Sequence, residues 1–358
     1  MLKGKKITIF CCFLVMVSVL TGGVAGYYDA RLEAAVVPKK KSLAKVKVAK
    51  NLTFQEDVVN ILLVGSDHGA MAGDSGRSDS MMVATIDLKR KELKLTSFLR
   101  DMYVNVPGHG RNKLNSAYAF GGETLLYQTI AENFGIKIDK FCIVDFSAFE
   151  KVIDRIGGIE MTLEEQEANY LNTTNYISKK KYRNVKTGTQ TLNGNQALGY
   201  ARVRHVDSKK YGIGEFGRTG RQRAVLQATF HKMLKQNPVD IINIAIDALG
   251  DVSTDMTASY IKELIYAVAR MDVSKIKQLR IPIENTYKMS GASTPPCGFV
   301  FFVNFKANQE ALKYFMFHQG KKQNFAKNYG GTLDIDTFGY SAKEDYNQTI
   351  GDSGNIFE

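Results

Sequence analysis

The sequence predicts an α/β sandwich preceded by one transmembrane helix. Three observations carry this. Short apolar runs bounded by glycine and charged turns begin at Val58 and alternate with helical patterns as far as Phe317, the order that builds a sheet covered by helices. A charge-free apolar stretch over residues 7–28 follows Lys3, Lys5 and Lys6 and is long enough to cross a bilayer. A length of 358 residues with 44% hydrophobic composition allows one large domain or two small ones.

Charge sharpens the division. The formal net charge is +12, but residues 1–50 hold ten Lys and Arg against two acidic residues. The rest of the chain is nearly balanced, and its positive charge is local. That distribution, with no helix-turn-helix pattern or basic stripe, speaks against a nucleic-acid binder. The five histidines show no metal-ligand spacing, which argues against zinc. Cys11 and Cys12 fall in the apolar stretch. Nothing in the spacing supports a Cys142–Cys297 disulfide, and a buried thiol is expected.

The chain divides as follows. Residues 1–6 form a cytoplasmic tail, because lysines mark the cytoplasmic side of a span. Residues 7–28 are long for the apolar region of a signal peptide, and Ala25 and Tyr28 make a poor cleavage site, so an uncleaved anchor is expected. Everything after it would lie outside the cell. Residues 29–52, rich in Lys, Ala and Val, read as a basic stalk, either solvated or resting on anionic headgroups. Residues 53–318 form the globular domain. The Gly/Asn/Asp-rich residues 319–358 are expected to be poorly ordered.

Within the domain, residues 58–64 (VVNILLV) read as a buried strand. A glycine-rich loop follows and ends at Arg77-Ser78-Asp79, without the Gly-Lys-Ser/Thr of a nucleotide-binding loop. Asp67 and Asp79 sit at strand boundaries and suit a divalent metal beside a phosphate, although Asp flanking glycine turns is common without one. Residues 80–86 and 93–98 form a hairpin, which leads into Arg100-Asp101. Lys113 and Asn115 follow a PGHGRN turn. A helix is predicted over 123–134, a strand over 141–144, a helix opened by a Ser147/Glu150 capping box, and a strand over 159–163. Residues 164–190 read as a polar flap, and Leu192-Asn193-Gly194-Asn195 caps a short helix that delivers an arginine-bearing strand. Helices over 238–249 and 257–270, strands over 276–283 and 299–305, and a last helix over 308–317 complete the domain.

The domain is organised around residues 196–226, which place Arg202, Arg204, Arg218, Arg221 and Arg223 in one segment. Guanidinium groups hold phosphate bidentately and stay charged, so this segment suits a ligand with clustered negative charge. Tyr200, Arg202 and Arg204 alternate with Ala201 and Val203, the period of a strand with both arginines on one face. From Gly217 a helix is expected, with Arg218, Gln222, Val225 and Thr229 on one stripe and Leu226, Phe230, Met233 and Leu234 on an apolar one. Its N-terminus beside the two arginines would form a phosphate cradle. Charge alone is equally a property of a solvated basic face.

These stretches resemble the LytR-CpsA-Psr family. The matching motifs are NILLVGSD at 60–67, GRSDSMM at 76–82, LRDMYVNVPGHGRNKLNSAYAFGG at 99–122, FEKVIDRIGGIEMTL at 149–163, GTQTLNGNQALGYARVR at 188–204 and FGRTGRQRAVL at 216–226, a core over 58–235. The resemblance implies an α-β-α sandwich with a central mixed sheet and an apolar channel for a polyprenyl chain. It implies an enzyme of the Gram-positive envelope that moves an anionic glycopolymer, teichoic acid-like or capsular, from undecaprenyl pyrophosphate to peptidoglycan. Asp67 and Asp79 would hold magnesium, with manganese as the alternative. Arg77, Arg100, Lys113, Arg202, Arg204, Arg218 and Gln222 would surround the pyrophosphate, and Asp101 or Glu215 would accept the acceptor hydroxyl's proton. Three departures stand out: Leu99 where the family usually has Pro, Glu215 where it usually has Asp, and a longer loop between Arg204 and Gly214. A hydrolase using water as acceptor would need the same cradle. A regulator or a non-catalytic wall-binding protein is a further alternative.

Overall fold

A computed structural model describes residues 30–31, 33–34, 46–48, 51–66, 78–236, 238–249, 252–271, 273, 276–290 and 297–320. The predicted anchor over 7–28, most of the stalk and the chain after 320 lie outside the described residues. Strands β1 (Val58–Ser66), β2 (Ser78–Asp87) and β3 (Glu92–Phe98) run antiparallel in succession. β4 (Tyr103–Val106) and β5 (Gly110–Lys113) form a side hairpin. After helix α1 (Leu114–Phe134), β6 (Lys140–Asp145) returns parallel to β1. Helix α2 (Phe146–Arg155) leads to β7 (Ile159–Leu163), α3 (Glu165–Thr173), β8 (Gly188–Leu192), α4 (Gly194–Arg202), α5 (Gly214–Leu234) and α6 (Pro238–Leu249). β9 (Val252–Thr254) runs antiparallel to β6, and after α7 (Ala258–Ala269), β10 (Ile276–Ile281) runs parallel to β3. β11 (Tyr287–Met289), β12 (Phe301–Val303) and α8 (Phe305–Phe317) close the domain.

The central sheet has six strands in the order β10-β3-β2-β1-β6-β9 and is mixed, as the resemblance implied. β1 shows why its sequence reads as a continuous apolar run: both of its faces are covered. Leu62 and Val64 pack on one side with Leu126 and Ile130 of α1 and Leu312 and Met316 of α8. Ile61 packs on the other side with Ile246 of α6 and Ile261 of α7. Each fully buried Leu or Ile contributes about 2 kcal/mol of transfer free energy, so the two packed faces hold the layers together.

Several local expectations are corrected. The short helix expected to be capped at residues 192–195 is present as α4, but it runs through Tyr200 and Arg202, where a strand was predicted, and Arg204 lies in the loop that follows. Asn193 Oδ1 accepts from the Gln196 N–H (2.9 Å), and Gln196 Oε1 accepts from the Asn193 N–H (3.1 Å). This capping box starts a helix that runs to Arg202, and a five-residue alternation is too short to override it. Helix α2 is capped by Asp145, which accepts from the Ala148 N–H at 2.7 Å, not by Ser147. Helix α1 starts nine residues before the predicted 123, with a kink at Gly121 and Gly122, the latter at φ 64°. Its second half is the segment the periodicity found.

Residues 164–190 are not a simple flap. Strand β7 leaves the central sheet to pair with β8, and Leu163, Ala168, Leu171, Ile177, Val185 and Leu192 form a second core with α4. The missed signal is the Glu164/Glu167 capping box that opens α3. The strand predicted over 299–305 is three residues long and pairs with β11 rather than joining the sheet. Cys142 and Cys297 are both free, and burial pushes the Cys142 thiol up to about 12.

At the β2–β3 turn, Lys94 is buried with its ammonium 3.0 Å from Glu92 and 3.7 Å from Asp87. It donates to the Met316 carbonyl at 3.1 Å, which ties the sheet to α8. Burial alone would raise the Glu92 carboxyl, but hydrogen bonds from Lys277, His318 and Lys94 bring it down to about 2 from the usual 4.5. A carboxylate depressed on folding stabilises above its unfolded value and loses that contribution as pH falls. Melting temperature is therefore expected to drop between pH 4.5 and about 2, and Glu92→Gln to flatten that limb in melts across the range. An unchanged acid limb in the variant would assign the loss to other groups.

Candidate functional site

β1 and β6 end side by side, Ser66 against Asp145. Beyond them, between the sheet and helices α2, α4 and α5, lies a cavity of about 670 Å³, within the range of ligand sites. Leu63, Met82, Phe149, Ile153, Leu198 and Leu226 give it largely apolar walls. Into it project Arg100, Arg202, Arg204, Arg218 and Gln222, five of the residues predicted from the sequence. The helical stripe Arg218, Gln222, Val225 and Thr229 lines it in full, as the 3.6-residue period required. The companion stripe is less uniform: Leu226 lines the cavity, whereas Leu234 is 44% exposed.

Three of the arginines meet at one carboxylate. Arg218 Nη2 donates to Glu215 Oε2 at 2.5 Å, one turn back on α5. Arg100 Nη2 is 3.3 Å from Glu215 Oε1, and Arg204 Nη1 is 4.0 Å from the same oxygen. Arg100 Nε also contacts Asp101 at 3.4 Å, and Lys113 Nζ at the end of β5 contacts Asp101 at 2.9 Å. Glu215 and Asp101 thus hold the cations in place from behind, and neither lines the cavity. Lys113 does not line the cavity, whereas Asp145 does; among the described residues, Arg100, Lys113, Arg202, Arg204 and Arg218 are set against Asp101, Glu215 and Asp145, which leaves a surplus of positive charge. Gln222 Oε1 is buried and has no partner among the described residues.

Arg202 is held differently. Its guanidinium lies 4.8 Å from the Phe146 ring and 6.0 Å from the Tyr176 ring. Cation–π contact fixes the group without neutralising it. Phe146 and Tyr176 both line the cavity and went unnoticed in the sequence, because an aromatic beside a strand end or in a polar stretch carries no functional signature of its own. Arg221 and Arg223 do not reach the cavity. Arg221 is fully buried against Glu167. Arg223 turns towards β10 and Gln278, and desolvation together with the neighbouring Arg280 lowers it to about 10.

Asp67 and Arg77 lie outside the described residues, as does the side chain of Asp79. The described backbone ends at the corner formed by Ser66 and Ser78. β1 pairs Gly65 with Ser80 and Ser66 with Ser78, so Asp79 is the extra residue of a bulge and Asp67 directly follows the paired end. Bulges re-aim a strand at sites of this kind. The Ser66 and Ser78 hydroxyls at that corner are buried without a hydrogen-bond partner among the described residues.

A model of the LytR_cpsA_psr family matches residues 26–296. The regulatory protein MsrR of Staphylococcus aureus (strain COL) is 33% identical over 294 residues, covering 81% of this chain and 83% of its own length. The polyisoprenyl-teichoic acid–peptidoglycan teichoic acid transferase TagU of Oceanobacillus iheyensis is 32% identical over 279 residues, 74% of this chain and 82% of its own. Among solved structures, Bacillus subtilis TagT bound to LIIa-WTA is similar with a TM-score of 0.60 at 24% identity, covering 77% of this chain and 99% of that one. TagT with bound octaprenyl pyrophosphate lipid gives 0.53 at 24% identity, covering 78% and 98%. The TagT likeness concerns the fold.

Proposed function

The chain belongs to the LytR_cpsA_psr family, and on that premise we propose that it transfers an anionic glycopolymer, teichoic acid-like or capsular, from an undecaprenyl pyrophosphate carrier to peptidoglycan. One observation carries the reading: a largely apolar cavity of about 670 Å³ that holds four guanidinium groups. A polyprenyl pyrophosphate has the complementary build, a hydrocarbon chain ending in two phosphates. The relatives support the same substrate class, since TagU is named for transfer of teichoic acid to peptidoglycan and TagT binds octaprenyl pyrophosphate lipid.

The chemistry follows from charge. The acceptor hydroxyl oxygen forms a bond to the sugar-side phosphorus. The bond from that phosphorus to the bridging oxygen breaks, and polyprenyl phosphate leaves with the bridging electrons. Arg100, Arg202, Arg204 and Arg218 are fixed in place before negative charge builds on that leaving group, so they stabilise it without reorganising. Gln222 contributes a side-chain amide to the same cradle. The hydroxyl proton goes to Asp101 or Glu215. Because both are ion-paired behind the arginines, the transfer runs through a bridging water or an opened Arg100 contact.

Asp67 and Asp79 are the proposed holders of magnesium or manganese, and Arg77 a proposed contact of the pyrophosphate. The chain positions of the two aspartates at one corner, next to two unpartnered buried hydroxyls, fit a hard cation with oxygen ligands. When bound, the ion would neutralise pyrophosphate oxygens. Residues 7–28 are proposed as a single membrane anchor with a cytoplasmic N-terminus, which puts the domain outside the cell beside its lipid-linked donor.

The test mixes full-length protein in detergent with a polyprenyl-pyrophosphoryl sugar, peptidoglycan oligomers and Mg²⁺, and reads products by mass. A glycan–phosphate–peptidoglycan product that disappears with chelator is expected. Asp79→Ala should lose both that product and calorimetric Mg²⁺ binding. Free polyprenyl phosphate without linked product would instead indicate hydrolysis, and no product of either kind would favour a binding or regulatory protein.

A further inference from the structure

Arg204 poses a problem of placement. Its side chain is 41% exposed, and among the described residues it touches Glu215 only at 4.0 Å, with one further bond from Nε to His205 Nε2 at 3.1 Å. A long, half-exposed arginine with so few holds does not set its own position, so its main chain must. One buried side chain bonds that main chain on both sides of Arg204. Arg221 Nη1 donates to the Val203 carbonyl and Nη2 to the Val206 carbonyl, each at 3.2 Å, one on either side of Arg204. Arg221 Nε donates to Glu167 Oε1 at 2.7 Å, and both side chains are essentially excluded from solvent.

Glu167 is itself fixed. Its second oxygen accepts from the Glu164 N–H at 3.0 Å in the capping box that opens α3. The Glu164 carboxylate in turn accepts from Ser208 Oγ at 2.9 Å and from the Lys209 N–H at 3.2 Å. The start of α3 therefore anchors both Arg221 and the far part of the loop. The return of the loop into α5 is fixed as well, since the Gly214 N–H donates to the Arg204 carbonyl at 2.9 Å. At Gly217 a Cβ would stand 2.9 Å from Arg221 Nη1 and 2.3 Å from the Gly212 carbonyl, so helix and loop are in direct contact there.

We propose that Arg221, oriented by Glu167, is a positioning residue: it holds the main chain on both sides of Arg204 and so sets where that guanidinium meets the anion. The inference rests on the anion-binding reading of the cavity. It gives a buried arginine a role in a reaction whose substrate it never touches.

The test is a double-mutant cycle on the full chain with Arg221→Lys and Arg204→Ala, read by inorganic pyrophosphate binding and by kcat for transfer. Lysine keeps the charge beside Glu167, but its single ammonium does not reproduce the three nitrogen positions by which the guanidinium meets two carbonyls and a carboxylate. Arg221→Lys is expected to lower kcat by about 10- to 100-fold, the scale of a displacement of about 1 Å at a catalytic group. Adding Arg204→Ala should then cause little further loss, because both substitutions remove the same interaction. Losses that multiply would overturn the proposal and leave Arg221 a purely structural residue. The Glu167→Gln/Arg221→Gln pair, which strands no buried charge, repeats the cycle if lysine is not tolerated; loss of the folded state in both variants also overturns it. A wild-type protein that neither binds pyrophosphate nor transfers sinks the anion reading itself, a distinct result from multiplicative losses in an active protein.

Discussion

Arg202→Ala is expected to lower transfer to peptidoglycan by about 10²- to 10³-fold, the scale seen when one fixed donor to a developing anion is removed. The melting temperature should barely move. The reason is how the side chain is held. Arg202 rests on the faces of Phe146 and Tyr176, contacts worth about 0.5–1 kcal/mol at an exposed site. Its removal strands no buried carboxylate, in contrast to Arg218, whose guanidinium binds Glu215 at 2.5 Å. Arg202→Lys should recover only part of the activity, since the ammonium keeps the charge but loses the planar fork and its stacking. Initial rates with the polyprenyl-pyrophosphoryl donor, measured beside thermal melts, separate the two effects. Full activity in the alanine variant would place the reacting phosphates away from this cavity.

Gly194→Ala should destabilise the domain by about 3 kcal/mol, at the upper end of what overpacking costs, and lower its melting temperature by roughly 6–12 °C at the sensitivity expected for this size. A Cβ at Gly194 would stand 2.1 Å from the Glu150 carbonyl oxygen and 2.6 Å from its Cα. Those are main-chain atoms of α2 and cannot rotate aside. The Gly194 N–H also donates to Asp154 at 2.6 Å, which pins the start of α4 to α2. Relief therefore requires α4 to move as a body, and Arg202 sits at its other end. Transfer should fall even well below the melting temperature. An unshifted melt would mean that α2 and α4 separate far more easily than their close contact implies.

The arginine set shows how far residue types carry and where they stop. Clustered guanidinium groups in a nearly neutral domain pointed to a phosphate-rich ligand, and four of the five arginines named for the site, Arg100, Arg202, Arg204 and Arg218, do line one cavity, while the fifth, Arg77, lies outside the described residues. The helical period separated Arg218 and Gln222, which face the cavity, from their neighbours. It gave no means of telling that Arg221 would be swallowed by the core while Arg223 turned to the sheet edge. Those fates depend on Glu167 and on Gln278, 54 and 55 residues away in the chain. Asp101 and Glu215 were named as proton acceptors from their motif positions. Their engagement by Arg100, Lys113 and Arg218 becomes visible only when β3, β5 and α5 are brought together.

By itself the sequence determined the strands that are buried on both faces, the amphipathic helices, the glycine stops and the residue types that line the cavity. Each of these is written in a local period or in a residue type. The tertiary structure decided the rest. It carried α4 on through Arg202, because packing on α2 outweighs a short alternation. It turned residues 164–190 into a second core, because Leu171, Ile177 and Val185 are too far apart to form a pattern and bury themselves only against α4 and β8. It also decided which charges face the cavity and which hold them there, since an ion pair between distant segments has no local signature and forms only where the packed layers place its two ends together.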